Sequence, residues 1–444
     1  MSIEYSSWID HPIETVFAWH ERPGAFARLS PPWQCARLVE EASSLADGRA
    51  VIRLPGGLRW VAQHRDYDPP HRFVDDLVSL PLPWHHVHEF AEAGPDRTRV
   101  TDTVTTPVPA PLLRRTFAYR HVQLRDDLDV QADLRRLDPE PRTVAVTGSS
   151  GLIGTAVCSF LSTAGHRVIR LVRRPARVGD ERTWELSSPD PGVFEDVDAV
   201  VHLAGASIAG RFTEAHKQAI AQSRIEPTRR LADAMVRAGA PRALIAASAI
   251  GYYGPDRGDE LLDEHAGRGE GFLAGVVADW EAATRDAADA GLRVVSVRTG
   301  VVLSARGGML GLLRPVFLAG LGGQLGDGRQ WLSWIDLDDL TDVYARALAD
   351  SELAGPLNAV APAPVRNREL TQTLARVLKR PAVVPVPTRA LEVVVGREGV
   401  EEIAAASQRV VPARLEAAGF GFRRPSLEAC LRHQLGHFDP DRSH

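Results

Sequence analysis

Two hydrophobic textures divide this chain near residue 140. Before that point apolar and polar positions alternate in short runs: "GRAVIRLP", "LRWVAQHRDYD", "WHHVHEFAEAG" and "TRVTDTVTTPV", punctuated by Gly, Pro and Asp. A period of two predicts antiparallel strands. "IETVFAWHER" predicts a short helix with Pro12 near its start. Further on, Leu112, Leu113, Phe117, Val122, Leu124 and Leu128 fall at helical spacing and predict one long amphipathic helix. The prolines of "DPEP" (138–141) stop it and mark a linker.

From Arg142 the apolar runs become continuous and alternate with helical stretches. "RTVAVTG", "HRVIRLV", "VDAVVHLAG", "PRALIAASA" and "LRVVSVRTG" read as buried strands, and "GTAVCSFLSTAG" reads as the first intervening helix. This alternation predicts an α/β fold: a Rossmann-like, doubly wound parallel sheet with helices on both faces.

The strongest local motif is "TVAVTGSSGLIGTAV". Gly148, Gly151 and Gly154 stand between a strand and a helix. The first permits a tight turn, the second close backbone approach to a pyrophosphate, and the third close helix–strand packing. With Ser149, Ser150, Leu152 and Ile153 they form the predicted phosphate cradle at a helix start. An NAD binder usually carries an acid about 20 residues on. Here "VIRLVRRPAR" places Arg173 and Arg174 in that zone. Guanidinium groups suit a 2′-phosphate, so NADP is the predicted cofactor. Leu203, Ala204 and Gly205, closing the "VVHLAGA" strand, are expected beside the cofactor.

Charge and composition narrow the class. A formal charge of -5 gives no basic field for nucleic acid. No apolar run reaches the length of a membrane span, no signal layout opens the chain, and three cysteines far apart read as reduced thiols. A cytoplasmic protein is expected. His86 and His88 share one strand face and could bind a metal, but the sequence indicates no third ligand, so no metal is predicted. Asp263 and Glu264 read as a solvated loop pair.

These motifs, in this order, resemble the short-chain dehydrogenase/reductase superfamily in its extended branch. "HLAGASIAGRFTEAHKQAIAQSRIEPTRRL", "SASAIGYYG", "ADWEAA", "VRTGVVLS", "GRQWLSWIDLDDL" and "NAVAPAPVRNREL" are similar to its atypical epimerase-like subfamily. The ending "SQRVVPARLEAAGFGFRRPSLEACL" resembles that subfamily's small C-terminal domain. Its usual "WIH" is "WID" here, at Asp336. The first 138 residues resemble the START-like, polyketide-cyclase-like helix-grip fold, which implies capture of a small or lipid-like ligand. The expected domains are a helix-grip domain (1–138), a linker (139–141) and an NADP-binding Rossmann core (142–300). The remaining Rossmann elements and a substrate-side domain follow (301–444).

The superfamily's acid–base dyad is Tyr-x-x-x-Lys, in which lysine stabilises the phenolate. Anchored on Glu281, the dyad positions fall on Leu273 and Val277. Only Lys217 and Lys379 occur in the whole chain, and neither can be brought into register. Ser248 takes the place of the superfamily serine, beside the cofactor. Tyr252 and Tyr253 are the candidate substitute acids, with Arg224 or Arg298 as electrostatic partner. The resemblance implies Thr299 and Val301 near the nicotinamide. Arg224, Trp331 and Trp334 are expected on the substrate side. Two functions follow: an NADP-dependent oxidoreductase or epimerase with non-standard catalytic residues, or an inactive NADP-binding sensor or regulatory protein. Self-association into a homo-oligomer is compatible with either.

Overall fold

A computed structural model describes residues 2–185, 187 and 189–438. It divides into two compact units. One takes the described residues up to Arg136, with Cys158–His166 and the chain end from His433. The other takes Leu137–Val157 and Arg167–Arg432. Cys35, Cys158 and Cys430 form no disulfide among the described residues. Among the described residues no helix is long and apolar enough to cross a membrane.

The first unit is built on seven strands: β1 (Ser2–Ile9), β2 (Arg37–Glu40), β3 (Arg49–Arg53), β4 (Arg59–Asp68), β5 (Arg72–Leu77), β6 (His85–Glu92) and β7 (Thr98–Thr105). They form one sheet in the order β1-β7-β6-β5-β4-β3-β2, every pair antiparallel. Helices α1 (Ile13–Glu21) and α2 (Ala25–Leu29) lie between β1 and β2, and α3 (Ala110–Leu137) follows β7. Phe73, Phe90 and Val100 from the sheet share a core with Phe17, Trp19, Leu124 and Leu128 from the helices. The inward face of the sheet therefore packs on α3, as alternating strands and an amphipathic helix require. The alternating runs and both predicted helices of this region are observed. Strands β1, β2 and β5 were not singled out by the sequence pattern.

The second unit centres on a parallel sheet. Its strands include β8 (Thr143–Thr147), β9 (Arg167–Val172), β10 (Glu181–Thr183), β11 (Ala199–His202) and β12 (Ala243–Ala249). Helix α4 (Leu152–Ala164) links β8 to β9, and α5 (Glu214–Gln222) and α6 (Ile225–Ala238) lie between β11 and β12. A short β13 (Asp256–Leu262), helix α7 (Phe272–Ala282) and strand β14 (Arg293–Thr299) follow. The order is β10-β9-β8-β11-β12-β14 and then the strand Gly355–Ala359, all parallel. The order turns back on itself between β8 and β11. That switch point opens a crevice beyond the strand ends, where such sheets take their ligands.

Candidate functional site

The glycine loop sits at this switch point. Gly148 has φ +67°, and a Cβ there would lie 2.8 Å from the Leu203 carbonyl group and 2.9 Å from the Ala204 nitrogen. At Gly154 a Cβ would lie 2.2 Å from the Gly148 oxygen and 2.8 Å from the Ser149 Cα. Both glycines are thus demanded by the protein's own backbone. Gly151 is different: it is exposed, and a Cβ there would come only as near as 3.3 Å to the Gly148 oxygen. It is the glycine turned outward, beside exposed Ser150 and ahead of Leu152 and Ile153, which begin α4. The amides of that first helical turn and the helix dipole suit an anion.

A buried brace fixes the crevice. Thr147 Oγ1 accepts from the Leu203 and Ala204 amides at 3.1 and 3.3 Å and pairs with His202 Nδ1 at 2.7 Å. His202 Nε2 reaches Thr228 Oγ1 at 3.0 Å, and Trp280 Nε1 donates to the same oxygen at 2.9 Å. Burial pushes the His202 pKa down to about 4, so the ring is neutral at pH 7. The brace joins β8, β11, α6 and α7. Sequence reading saw only a strand end here, because none of these partners is local. Gly205 packs on Arg224: a Cβ would meet its guanidinium carbon at 3.2 Å. Arg224 donates to Ala206 O at 2.9 Å and Ile220 O at 3.2 Å, and lies over the Trp280 ring. It is tied beneath the 203–206 turn.

The two arginines after β9 behave differently. Arg174 makes a forked ion pair with Glu181, at 2.5 and 2.7 Å, and holds that carboxyl down to about 2. Arg173 is exposed and makes no hydrogen bond or ion pair among the described residues. Of the two, Arg173 is the one without a bonded partner among the described residues.

The serine–tyrosine segment follows β12 as a tight turn, Ile250–Tyr253. Ser248 Oγ donates to Glu281 Oε1 at 2.6 Å. Arg298 grips both oxygens of Glu281 at 2.8 Å and donates to the Tyr253 hydroxyl at 3.1 Å. That hydroxyl is surrounded further by Asp263 O at 2.9 Å and Asn358 Oδ1 at 2.8 Å. Tyr253 is fully buried. Burial raises its pKa, and the Arg298 charge does not reverse the shift. Burial works against the Arg298 charge too, but Glu281 outweighs it and holds the guanidinium pKa above its ordinary value. Tyr252 is half-buried, with the Arg298 guanidinium carbon 3.6 Å from its ring centroid. Leu273 and Val277 are buried on α7, facing Gly251 of this turn. The network thus fills with arginine, glutamate and apolar side chains.

On the remaining side, Thr299 ends β14 and Val301 opens the next short strand, Val301–Ser304. Trp331 is half-buried, donates to Asp259 Oδ1 at 2.7 Å and stacks under Arg366 at 3.7 Å. Trp334, expected on a substrate wall, is instead fully buried and donates to Ala363 O at 3.0 Å. Its strand, Trp334–Asp336, runs through the interior, so that position belongs to the core. Glu264 is likewise buried, not solvated: it accepts from the Asn358 amide at 2.9 Å. Asp336 caps the helix Leu337–Ala349 by accepting from the Asp338 amide at 2.8 Å. A cleft of about 570 Å³ opens beside Trp331, lined by Asp256, Asp259, Arg329 and Arg366 among others. Neither the glycine loop nor Ser248, Tyr252 or Tyr253 lines it.

The chain is similar to known proteins. The profile of the NAD dependent epimerase/dehydratase family matches residues 144–359, and a domain of unknown function, DUF1731, matches residues 386–434. An epimerase family protein of Mycobacterium tuberculosis is 45% identical over 291 residues, covering 65% of this chain and 96% of the relative. The crystal structure of a nucleoside-diphosphate sugar epimerase from Corynebacterium glutamicum is 42% identical. It covers 99% of this chain and 91% of its own, with a TM-score of 0.88. The human epimerase family protein SDR39U1, solved with NADPH, is 34% identical and covers 67% of this chain and all of its own, with a TM-score of 0.61. The chain belongs to the NAD-dependent epimerase/dehydratase family, within the short-chain dehydrogenase/reductase superfamily, and carries the family's DUF1731 domain at its C-terminal end.

Proposed function

We propose that this chain is an NADP(H)-binding oxidoreductase or epimerase that works without the Tyr-x-x-x-Lys dyad. The observation that carries the cofactor half is Arg173, an exposed guanidinium directly after β9 with no ion pair among the described residues. The human relative solved with NADPH supports it. In this reading Gly148–Gly154 hold the pyrophosphate, Arg173 takes the 2′-phosphate, and Leu203, Ala204 and Gly205 flank the ribose. Ser248, Thr299 and Val301 stand toward the nicotinamide. NADP(H), when bound, supplies hydride chemistry. The protein orients the substrate and excludes water.

The acid–base group is assigned to Tyr252 rather than Tyr253. The Tyr253 hydroxyl is spent on Asn358, Asp263 and Arg298, whereas Tyr252 is half-buried beside the same guanidinium. Ser248 acts through its bond to Glu281. The substrate is a small oxygen-rich molecule. A nucleotide sugar is the first choice, because the Corynebacterium relative is described as a nucleoside-diphosphate sugar epimerase. The antiparallel unit is read as a helix-grip, START-like ligand-binding domain, on the strength of its meander sheet and the long helix sharing its core.

Two measurements test this. Replacing Arg173 by Ala should shift the NADPH/NADH affinity ratio toward NADH by at least about tenfold, equivalent to one lost charge-assisted contact. An unchanged ratio sinks the phosphate assignment. Turnover of a carbonyl and nucleotide-sugar panel should fall about 10²–10⁴-fold in Tyr252→Phe. Full activity in that variant removes Tyr252 from the chemistry. A second reading, an NADP-binding regulatory protein, is favoured by one feature: Ser248, Glu281, Arg298 and Tyr253 saturate one another. Tight NADPH binding with no turnover across the panel would select it.

A further inference from the structure

The antiparallel unit holds a cluster of buried titratable groups that the reading above does not use. Asp75 lies opposite His86 across β5 and β6, and His88 lies opposite Asp102 across β6 and β7. Alternation puts all four on the face that also carries Phe73 and Phe90 toward the core. His85 is on the other face, paired with Asp76. His86, His88 and Asp102 are 2%, 3% and 4% exposed.

We propose that this cluster is a divalent-metal site, in which His86 Nδ1, His88 Nε2 and Asp75 Oδ2 ligate one ion of the zinc or iron(II) class and Asp102 orients both rings. One ligand atom from each of Asp75, His86 and His88 lies within 4.8 Å of the others. Asp75 Oδ2 is 3.4 Å from His86 Nδ1 and 3.0 Å from His88 Nε2. Ligands about 2.0–2.1 Å from a common ion lie about 3.3 Å apart in a tetrahedral shell. The opposite ring nitrogens point at one oxygen: Asp102 Oδ1 is 2.8 Å from His86 Nε2 and 2.7 Å from His88 Nδ1. A carboxylate on the far nitrogen of each ligating histidine is the usual outer support of such sites. Asp102 is itself held, through Oδ2, by His121 Nε2 at 2.9 Å, and His121 Nδ1 reaches Ser7 Oγ at 2.7 Å.

Charge supports the same reading. Asp102 is 4% exposed and Asp75 is half-buried, and two such carboxylates ask for two positive charges, which one divalent ion supplies. Two imidazole nitrogens and one carboxylate oxygen suit zinc or iron(II) rather than a hard, all-oxygen cation. Three protein ligands leave the shell open, on the side where Asp75 is 16% exposed. A further donor lies opposite Asp75 on β4: His64 has a buried Nδ1 without a hydrogen-bond partner among the described residues.

The test uses tag-free full-length protein, stripped with chelator and titrated with Co²⁺ as a spectroscopic probe. One equivalent should bind, with the visible absorption of nitrogen and oxygen coordination, and Zn²⁺ should displace it. His86→Gln, His88→Gln and Asp75→Asn should each weaken binding by at least about 100-fold, and Asp102→Asn by about 10–100-fold. His85→Ala should leave it unchanged. Asp75→Asn, at the half-buried rim, is the variant best placed to stay folded, and circular dichroism verifies that it has. The proposal is overturned if the wild type shows no saturable 1:1 binding. It is overturned equally if folded Asp75→Asn binds as tightly as the wild type.

Discussion

Arg298 is 3% exposed, and the fold answers its buried charge from two sides. Glu281 meets it with two hydrogen bonds, and Tyr252 and Tyr253 offer a ring face and a hydroxyl. Breaking one partner of such a pair leaves an uncompensated charge, at a cost of about 3–5 kcal/mol. Glu281→Gln should therefore lower unfolding stability by that order in urea titration, and a change below about 1 kcal/mol would contradict the pairing. His202 gives a pH signature. Its folded pKa is lowered to about 4, against about 6.5 when unfolded. Between these values the unfolded chain binds the proton and the folded one does not, so stability falls as pH drops from 6.5 to 4. The loss attributable to this ring is about 3 kcal/mol at pH 4, at 1.36 kcal/mol per pKa unit. His202→Asn should flatten the melting temperature against pH across that window, and an unaltered slope would assign the acid sensitivity elsewhere. The sequence singled out Ser248, Tyr253 and Glu281, yet their partnership was hidden. It depends on β12, β14 and α7 meeting in space, and no spacing along the chain encodes that.

At the level of elements, local signals read well and non-local ones did not. The strand–glycine–helix unit is legible because its turn chemistry lies within a dozen residues. Strand β5, "RFVDDL", is not: Phe73 and Val74 are adjacent apolars and Asp75 and Asp76 adjacent acids, so no alternation announces it. Missing β5 is why His86 and His88 lacked a third ligand on paper. Within the legible loop the glycines divide by role, and substitution should separate them. Gly154→Ala pushes a Cβ to 2.2 Å from the Gly148 oxygen, so it should lose about 1–3 kcal/mol of stability along with NADPH affinity. Gly151→Ala has only a 3.3 Å approach to absorb. It should melt near the wild type while binding NADPH at least about tenfold more weakly, the cost of losing close backbone approach. Equal behaviour of the two variants would deny the outward role given to Gly151.

At the scale of the whole chain, the family's share and the added share are separable. The family matches occupy residues 144–359 and 386–434, and the Mycobacterium relative covers 65% of this chain with 96% of itself. The antiparallel meander and its long helix are what this chain carries beyond that relative. The proposed sites obey the same division: Gly148–Gly154 and Arg173 lie on the family's part, whereas Asp75, His86 and His88 lie on the added part. Ligand linkage then makes a sharp forecast. NADPH at 100 times its dissociation constant adds about 2.7 kcal/mol to whatever binds it and nothing to what does not. In hydrogen exchange on the full chain, saturating NADPH should slow exchange in β8, the loop to α4, β9 and the 203–206 turn, and leave β5–β7 unaltered. Zn²⁺ should do the reverse. If NADPH protected β5–β7 as strongly as the glycine loop, or Zn²⁺ protected the glycine loop as strongly as β5–β7, the assignment of one chemistry to each part would fail.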